Sequence, residues 1–376
     1  MEIYILLYAY FFFGPALASL LGYEVYSGID LRYLQPAISV FLISILALLI
    51  GLLVPGLKFK SRDFALMMQP GRNAKEFVYI PAMLICLGII LYSYYVGALF
   101  SYENKVVKIS RVGIYHYAAI TLVPCVLICY MALFDSQRGR HWGFSLCIMM
   151  YCFYSFMMSE RDFLLFFLPV YFWCINRTRS GYIYPAIMSV ILTAVFVVMS
   201  LSKSDVMSQG AIGSFLNQGS NLMVITVLLA YLDGVGEPIY GLSYLSATIN
   251  AVTFGFVRLW SPCSVWLSNY FSGGAGAYGF SLEAEAFFNF GFVGVFVFFF
   301  ILARYYRCVE RLADSGARFG MLLYYHFLFF FMYSIRGEFL IILKSLMYCL
   351  ILYFIVLAIL GRAQIAVSPI NGGRRG

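Results

Sequence analysis

The chain has 376 residues, 63% of them hydrophobic and 11% charged, with a net charge of +8. So few polar residues cannot cover a water-soluble protein of this length, which excludes a soluble globular domain. The positive charge does not point to nucleic acid, because it is concentrated in alternate loops: Lys58, Lys60, Arg62, Arg72 and Lys75; Arg138 and Arg140; Arg177 and Arg179; Arg304, Arg307, Arg311 and Arg318; and Arg362, Arg374 and Arg375. That is the positive-inside pattern of a membrane protein, and it places both termini in the cytoplasm.

Apolar runs of about 17 to 23 residues, long enough to cross hydrocarbon as helices, recur from end to end without the alternation of barrel strands. The expected fold class is all-α polytopic, a single integral membrane domain over residues 1–376 with about 10 to 12 transmembrane helices. The first run, Ile3 to Leu21, contains Ala16-Leu17-Ala18, as a signal-peptidase site would. Its lead carries Glu2 instead of basic residues, so it reads as a retained span. Leu34 to Val54, Phe77 to Leu99, Gly113 to Leu133, Trp142 to Met158, Phe163 to Ile175 and Ile183 to Leu201 follow. After a long connection come Glu283 to Ala303, Met321 to Ile335 and Phe339 to Leu360.

The connection from Lys203 to Leu282 begins and ends outside, so it crosses an even number of times. Asn221 to Leu232 and Leu242 to Val257 are apolar enough for a hairpin. The turn between them, Asp233 to Pro238, is acidic and has no Lys or Arg, which disfavours a cytoplasmic location. Residues 203–282 are therefore read as a periplasmic cap of interfacial or re-entrant helices, sustained by protein or water around their backbone. Its later part is rich in Gly and aromatics, from Trp260 through Trp266, Tyr270 and Tyr278, and reads as flexible. The Gly-rich piece lacks the Lys-Ser/Thr of a P-loop, which argues against nucleotide binding.

Nine cysteines lie mostly inside apolar runs without a CxxC pair, and Cys125 and Cys129 read as ordinary buried thiols. His116 and His326 fall within spans and read as hydrogen-bonded packing residues, with an acyltransferase base as the alternative for an intramembrane His. Lys105, Lys108 and Arg111 read as headgroup-level charges.

Charges at membrane depth are expensive, so their positions are the best functional pointers. Four groups share one side under this topology: Glu160-Arg161-Asp162, Arg258, Glu283-Ala-Glu285 and Arg336-Gly-Glu338. Outward arginines run against the charge bias, and guanidinium suits bidentate capture of phosphate or pyrophosphate. A nearby carboxylate suits a general base if burial or a neighbouring acid raises its pKa. Glu283 and Glu285 diverge by about 200° on a helix, so at most one faces the reaction. The plainer alternative is that these charges pair with one another to lock helices together. Trp260, Trp266, Tyr270 and Tyr278 are candidates for stacking on sugars, interfacial anchoring being the other reading.

The run from Gly276 to Val295, with Ser281, Glu285, Asn289, Gly291 and Gly294, resembles the signature of Wzy-type O-antigen and oligosaccharide-repeat-unit polymerases. There a Gly-rich external loop leads into a span beginning S-x-x-E-x-x-x-N-[FY]-G-x-x-G. Pro238-Ile-Tyr-Gly241, Trp260-Ser-Pro262, Ser159-Glu-Arg161-Asp162-Phe and Ile335-Arg336-Gly-Glu338-Phe also resemble that family. The motif's Glu falls on Glu285, four residues before Asn289, with Glu283 as the competing register; neither stands three residues after Ser281, a departure that leaves the assignment open.

The resemblance implies an architecture like the GT-C glycosyltransferases and an active site facing the periplasm of a bacterial inner membrane. It implies an enzyme that moves a growing glycan from undecaprenyl pyrophosphate to a new undecaprenyl-pyrophosphate-linked repeat unit. Wzz-type chain-length regulators and a Wzx-type flippase would be its partners. Arg161, Arg258 and Arg336 would bind the pyrophosphates, supported by Glu160, Asp162, Glu338 and Asn289. Glu285 or Glu283 would take the proton of the attacking hydroxyl, inverting the anomeric centre. No cofactor or metal is expected, since arginines would do the phosphate work. The alternatives are an O-antigen ligase acting on the same donor, a lipid-linked-sugar transporter or flippase, and a membrane-bound O-acyltransferase.

Overall fold

The computed structural model describes residues 2–21, 31–55, 76–101, 105–134, 142–158, 160, 221–234, 236–273 and 279–367. The expected spans Phe163 to Ile175 and Ile183 to Leu201, and with them Arg161 and Asp162, lie outside the described residues, as does Tyr278. Among the described residues there are twelve α-helices and no strand. Five helices are long and apolar enough to cross a membrane: Leu34–Leu53, Val78–Tyr95, Ile114–Phe134, Leu282–Asp314 and Phe339–Ile359. Tyr4–Ala18, Gly143–Met157 and Asn221–Gly234 are shorter apolar helices. The protein is an all-α, polytopic membrane protein.

The chain forms two compact units. The first comprises Met1–Lys58, Thr178–Glu310 and Phe327–Lys344. In it α1 (Glu2–Leu20) and α2 (Leu34–Leu53) pack against α7 (Asn221–Gly234). Leu42, Leu46, Leu49 and Leu53 of α2 are exposed, while Ala37, Val40, Phe41, Ser44, Ala47, Leu48 and Gly51 are buried. Four of those seven buried residues, Ala37, Ser44, Ala47 and Gly51, are small, as lipid favours, because close backbone approach replaces the hydrophobic effect as the drive for packing. Gly51 shows this: a Cβ there would meet the Ala303 Cβ at 2.7 Å and the Phe300 carbonyl oxygen at 2.9 Å on α10 (Leu282–Asp314). Beyond that contact, α10 closes the end of α2. Arg304 donates to the carbonyls of Gly51, Val54 and Pro55, and Arg307 to that of Leu52. Those carbonyls lack intrahelical donors, and a cation there also complements the helix dipole.

Two departures from regular helix shape this unit. Helix α10 is broken at Phe290 (φ −142, ψ 19) and Gly291 (φ 61, ψ −150). The Gly291 backbone occupies a region that only glycine adopts without strain. The Phe288 carbonyl beside the break accepts the Ile239 N–H at 3.1 Å, so the connection ahead of α8 (Leu242–Val252) is stitched to it. The expected span Met321 to Ile335 is likewise not one helix. A π turn, Phe327–Phe331, and a 3-10 turn, Ser334–Arg336, follow α11 (Arg318–His326), and the Ser334 hydroxyl donates back to the Phe330 carbonyl.

Within the 203–282 connection, α7 and α8 have 14 and 11 residues, rising about 21 and 16 Å. Neither reaches across about 30 Å of hydrocarbon. The aromatic part of the stretch expected to be flexible carries a helix instead, α9 (Cys263–Ser272), which starts after Pro262 and ends at Gly273; residues 274–278 of its Gly-rich part lie outside the described residues.

The second unit comprises Phe59–Arg177, Arg311–His326 and Ser345–Gly376. Here α3 (Glu76–Tyr95), α5 (Ile114–Phe134) and α6 (Trp142–Met157) pack together, with the amphipathic α4 (Lys105–Val112) against α3 and α5. Cys125 and Cys129, one turn apart on α5, donate their thiols to the carbonyls of Ser345 and Cys349, one turn apart on α12 (Phe339–Val367). Buried thiols acting as weak donors match the sequence reading of these cysteines.

Gly51→Val should overpack the α2–α10 contact against backbone and Cβ atoms that cannot rotate away, with a loss of roughly 1–3 kcal/mol. Gly88→Val on α3, where nothing lies within 4 Å, should be neutral. Thermal unfolding of both variants in detergent, monitored by intrinsic fluorescence, checks the contrast.

Candidate functional site

The site is built on the first two turns of α10. Ser281 starts the helix, its hydroxyl accepting the Ala284 N–H at 3.4 Å and its carbonyl the Glu285 N–H at 2.9 Å. Two acids in the first turn suit the helix dipole. Both are nevertheless deeply buried, Glu283 at 0% and Glu285 at 1% exposure. They face different surroundings, as their spacing requires.

Glu285 is tied to two other helices. Its Oε1 accepts the Ser243 hydroxyl of α8 at 2.8 Å, and its Oε2 accepts the N–H of Phe339, the first residue of α12, at 2.7 Å. Asn289, one turn further along α10, donates its Nδ2 to the Ser243 oxygen and to the Glu285 carbonyl, both at 2.7 Å. Glu338 makes the corresponding contact with α9. Its Oε2 accepts the N–H of Cys263, the first residue of that helix, at 2.6 Å, and its Oε1 accepts the Ser264 hydroxyl at 2.8 Å. Each carboxylate thus satisfies an orphan N–H at the start of another helix, where the dipole also favours negative charge.

The two acids line one open cleft, together with Ser243, Asn250, Arg258 and Trp260. They lie close enough for their charges to repel. Burial pushes the Glu338 carboxyl above its ordinary value, and the Ser264 hydroxyl and Cys263 N–H pull it partly back. The Cys263 thiol, also in the cleft wall, is pushed well up by burial and then by Glu285 and Glu338. That keeps it a protonated thiol, a poor nucleophile.

Glu283 does not line the cleft. Tyr8 of α1, Asn221 of α7 and Ser281 surround it, yet neither oxygen makes a well-formed hydrogen bond to a described residue. Of the arginines, Arg258 lies exposed in the cleft wall, with no described acid at ion-pair distance. Arg336 is exposed on the 3-10 turn, its guanidinium 5.6 Å above the Phe11 ring. The turn is fixed by Asn221, which donates to the Ile335 carbonyl at 3.0 Å, and by the close pass of Gly279 against the Arg336 backbone. Glu338 therefore binds α9 instead of pairing with Arg336. Among the aromatics, Trp260 lines the cleft, its backbone N–H and carbonyl both bonded to the Ser246 hydroxyl. Trp266 packs inward, stacked on Tyr270 at 5.5 Å and against Tyr231 and Phe288; Tyr270 is half exposed.

In the second unit Glu160 is 5% exposed and accepts from, or is paired with, His116 Nε2 at 3.0 Å, while His116 Nδ1 meets the Tyr154 hydroxyl at 3.0 Å. His116 is thus buried and hydrogen-bonded, as the sequence reading expected, with Glu160 and Tyr154 as partners. His326 meets the Ser345 hydroxyl at 2.9 Å. Among the described residues no three His, Cys, Asp or Glu side chains converge as a metal site would need.

Sequence reasoning did not single out Ser243, Asn250, Cys263 or Ser264. A signal was present for two of them. Ser243, Ser246 and Asn250 are spaced three and four apart, so they form one polar stripe along an otherwise apolar helix, and that stripe faces the cleft.

A pH test follows for Glu338. A carboxyl whose folded pKa is raised contributes stability that is fully present below its unfolded pKa and is lost as pH rises through the folded one. The gap in melting temperature between wild type and Glu338→Gln should therefore move against the wild type as pH rises above the ordinary glutamate value of 4.5. A gap independent of pH between 4 and 8 would show that this carboxyl is not perturbed.

No family model matches the chain, no curated protein is significantly similar to it, and no solved structure matches its fold.

Proposed function

We propose that the protein is a membrane glycosyltransferase that polymerises lipid-linked oligosaccharide repeat units, with the cleft of the first unit as its reaction site. One observation carries the reading: two buried carboxylates, Glu285 and Glu338, and an arginine with no described acid partner, Arg258, converge on one cleft at the mouth of an apolar helix. A base and a free guanidinium are the two groups that glycosyl transfer from a lipid pyrophosphate needs. The base deprotonates the acceptor, and the cation holds the departing phosphate.

In this mechanism the acceptor hydroxyl oxygen attacks the anomeric carbon of the donor glycan. The new C–O bond forms as the bond from that carbon to the pyrophosphate oxygen breaks, inverting the anomeric centre. The hydroxyl proton passes to Glu285, which Ser243 and the Phe339 N–H hold in a fixed orientation. The electron pair leaves with the pyrophosphate, whose charge Arg258 stabilises. Glu285 is preferred to Glu283 as base because it lines the cleft. Arg336, two residues before Glu338, is assigned to a second phosphate, and Trp260 to contact with a sugar ring. The same reading places the cleft on the periplasmic side of a bacterial inner membrane and makes a chain-length regulator and a flippase the expected partners.

The test is an in vitro reaction of the purified chain with an undecaprenyl-pyrophosphate-linked repeat unit, resolved by gel. Wild type should give a ladder. Glu285→Gln should lower the rate by about 10²–10⁴-fold, the range for a lost general base, and Arg258→Ala should do so by about 10²-fold or more. A full-length ladder from folded Glu285→Gln would remove the assigned base. Absence of any ladder from wild type on its native unit would move the reading to a ligase or a transporter.

A further inference from the structure

Lys344 was not among the residues that the sequence singled out. It lies in α12, inside the apolar span Phe339–Ile359. Leu340 of that helix lines the cleft. Lys344 is one turn further along the same face, about 9 Å from Glu338 along the axis. Its ammonium approaches the loop that carries Arg258. A Cβ on Gly255 would stand 3.6 Å from Lys344 Nζ and 4.0 Å from Asn250 Oδ1, so Lys344, Asn250 and Gly255 enclose one small space. Asn250 is itself a cleft residue, and its Nδ2 donates to the Val257 carbonyl next to Arg258. The charged neighbour of Lys344 is Arg258.

Lys344 thus reaches the turn three residues before Arg258, near enough for the two charges to repel, and neither cation has an acid at ion-pair distance among the described residues. A lysine within a span is costly and marks a ligand or ion path when protein does not pair it. Repulsion between the two makes the empty arrangement worse, and an anion of charge two relieves both terms at once. The loop around Arg258 adds a second chemical element: Phe254, Phe256, Val257 and Leu259 are all exposed, Phe256 at 91%. A site with cations at its centre and apolar side chains at its rim matches a lipid that carries a multiply charged phosphate head.

We propose that Lys344 and Arg258 together form a two-cation site for the pyrophosphate head group of a polyprenyl lipid, with Lys344 reaching it from α12 and Arg258 from the loop after α8. The assignment rests on the glycosyl-transfer reading for the identity of the lipid, and it adds a binding residue that the reading did not contain. A phospholipid phosphate presents the same chemistry to these cations, so the test separates the two sources.

Binding is measured on the full chain in nanodiscs of neutral phosphatidylcholine, using the intrinsic fluorescence change on addition of undecaprenyl pyrophosphate. A parallel set of discs contains phosphatidylglycerol as competitor. Wild type should bind the pyrophosphate lipid with phosphatidylglycerol competing weakly. Lys344→Gln should weaken binding by about tenfold or more, the size of a lost charge-assisted hydrogen bond, and Lys344→Arg should restore most of it. Restoration by the other cation separates an anion contact from damage to α12. Unchanged affinity in folded Lys344→Gln overturns the site and leaves the roles of Glu285 and Arg258 untouched. Equal competition by phosphatidylglycerol overturns the pyrophosphate assignment in favour of a bilayer phospholipid. Lys344-dependent pyrophosphate binding by a chain that forms no polymer supports the site while the glycosyl-transfer reading fails.

Discussion

The Glu285 carboxylate holds three helices at one point, and the geometry of the cleft depends on that tie. Its two oxygens are committed to Ser243 of α8 and to the first N–H of α12, and Asn289 closes the network from one turn along α10. An isolated buried carboxylate would be prohibitive, whereas one whose acceptor sites are met by a hydroxyl and a helix N-terminus is tolerable and directional. Such a network is also hard to perturb in part. Removing one donor leaves a buried acceptor unpaired, at about 1–3 kcal/mol. Glu338 repeats the arrangement with α9. The beginnings of two helices are thus pinned by the acids that line the cleft, so the groups exposed to a ligand there are also part of the scaffold.

The break in α10 explains why those acids can be presented at all. A continuous 33-residue helix would rise about 50 Å, far more than the hydrocarbon it crosses. With non-helical angles at Phe290 and Gly291, the segment bearing Glu283, Glu285 and Asn289 becomes a two-turn helix with its own direction. The apolar run beyond it packs on α2 through Gly51 and Arg304. Irregular backbone is tolerated in such proteins where protein satisfies it, and here Ile239 supplies the donor. The Asn-Phe-Gly sequence after the acids therefore has a mechanical reading: Asn289 holds the network, and Gly291 turns the chain.

Much of this was legible in the sequence, and the rest had physical reasons not to be. The helical membrane class follows from composition alone, and the limits of α2, α5 and α6 lie within two residues of the apolar runs. The divergence of Glu283 and Glu285 was legible too, because two residues on a helix cannot share a face. Which of them meets the cleft was not, since that depends on Ser243 and Phe339, 42 and 54 residues away in sequence. The helix inside the Gly-rich stretch was hidden because its stabilisation comes from elsewhere: Cys263 finds its acceptor on Glu338, 75 residues on. Local propensity carries no trace of a cap supplied by another segment.

The distribution of charge within the cleft bounds what it can be. Glu338 lies two residues from Arg336, but it is occupied by α9, and Glu285 is occupied by α8 and α12. Their oxygens are directed at those donors, and no described acid stands at ion-pair distance from the arginine in the cleft wall, so its N–H groups stay open to an outside anion. The acids of this cleft lock helices through hydroxyls and helix N-termini instead of through the cation, so both kinds of group stand in one cleft without being spent on each other.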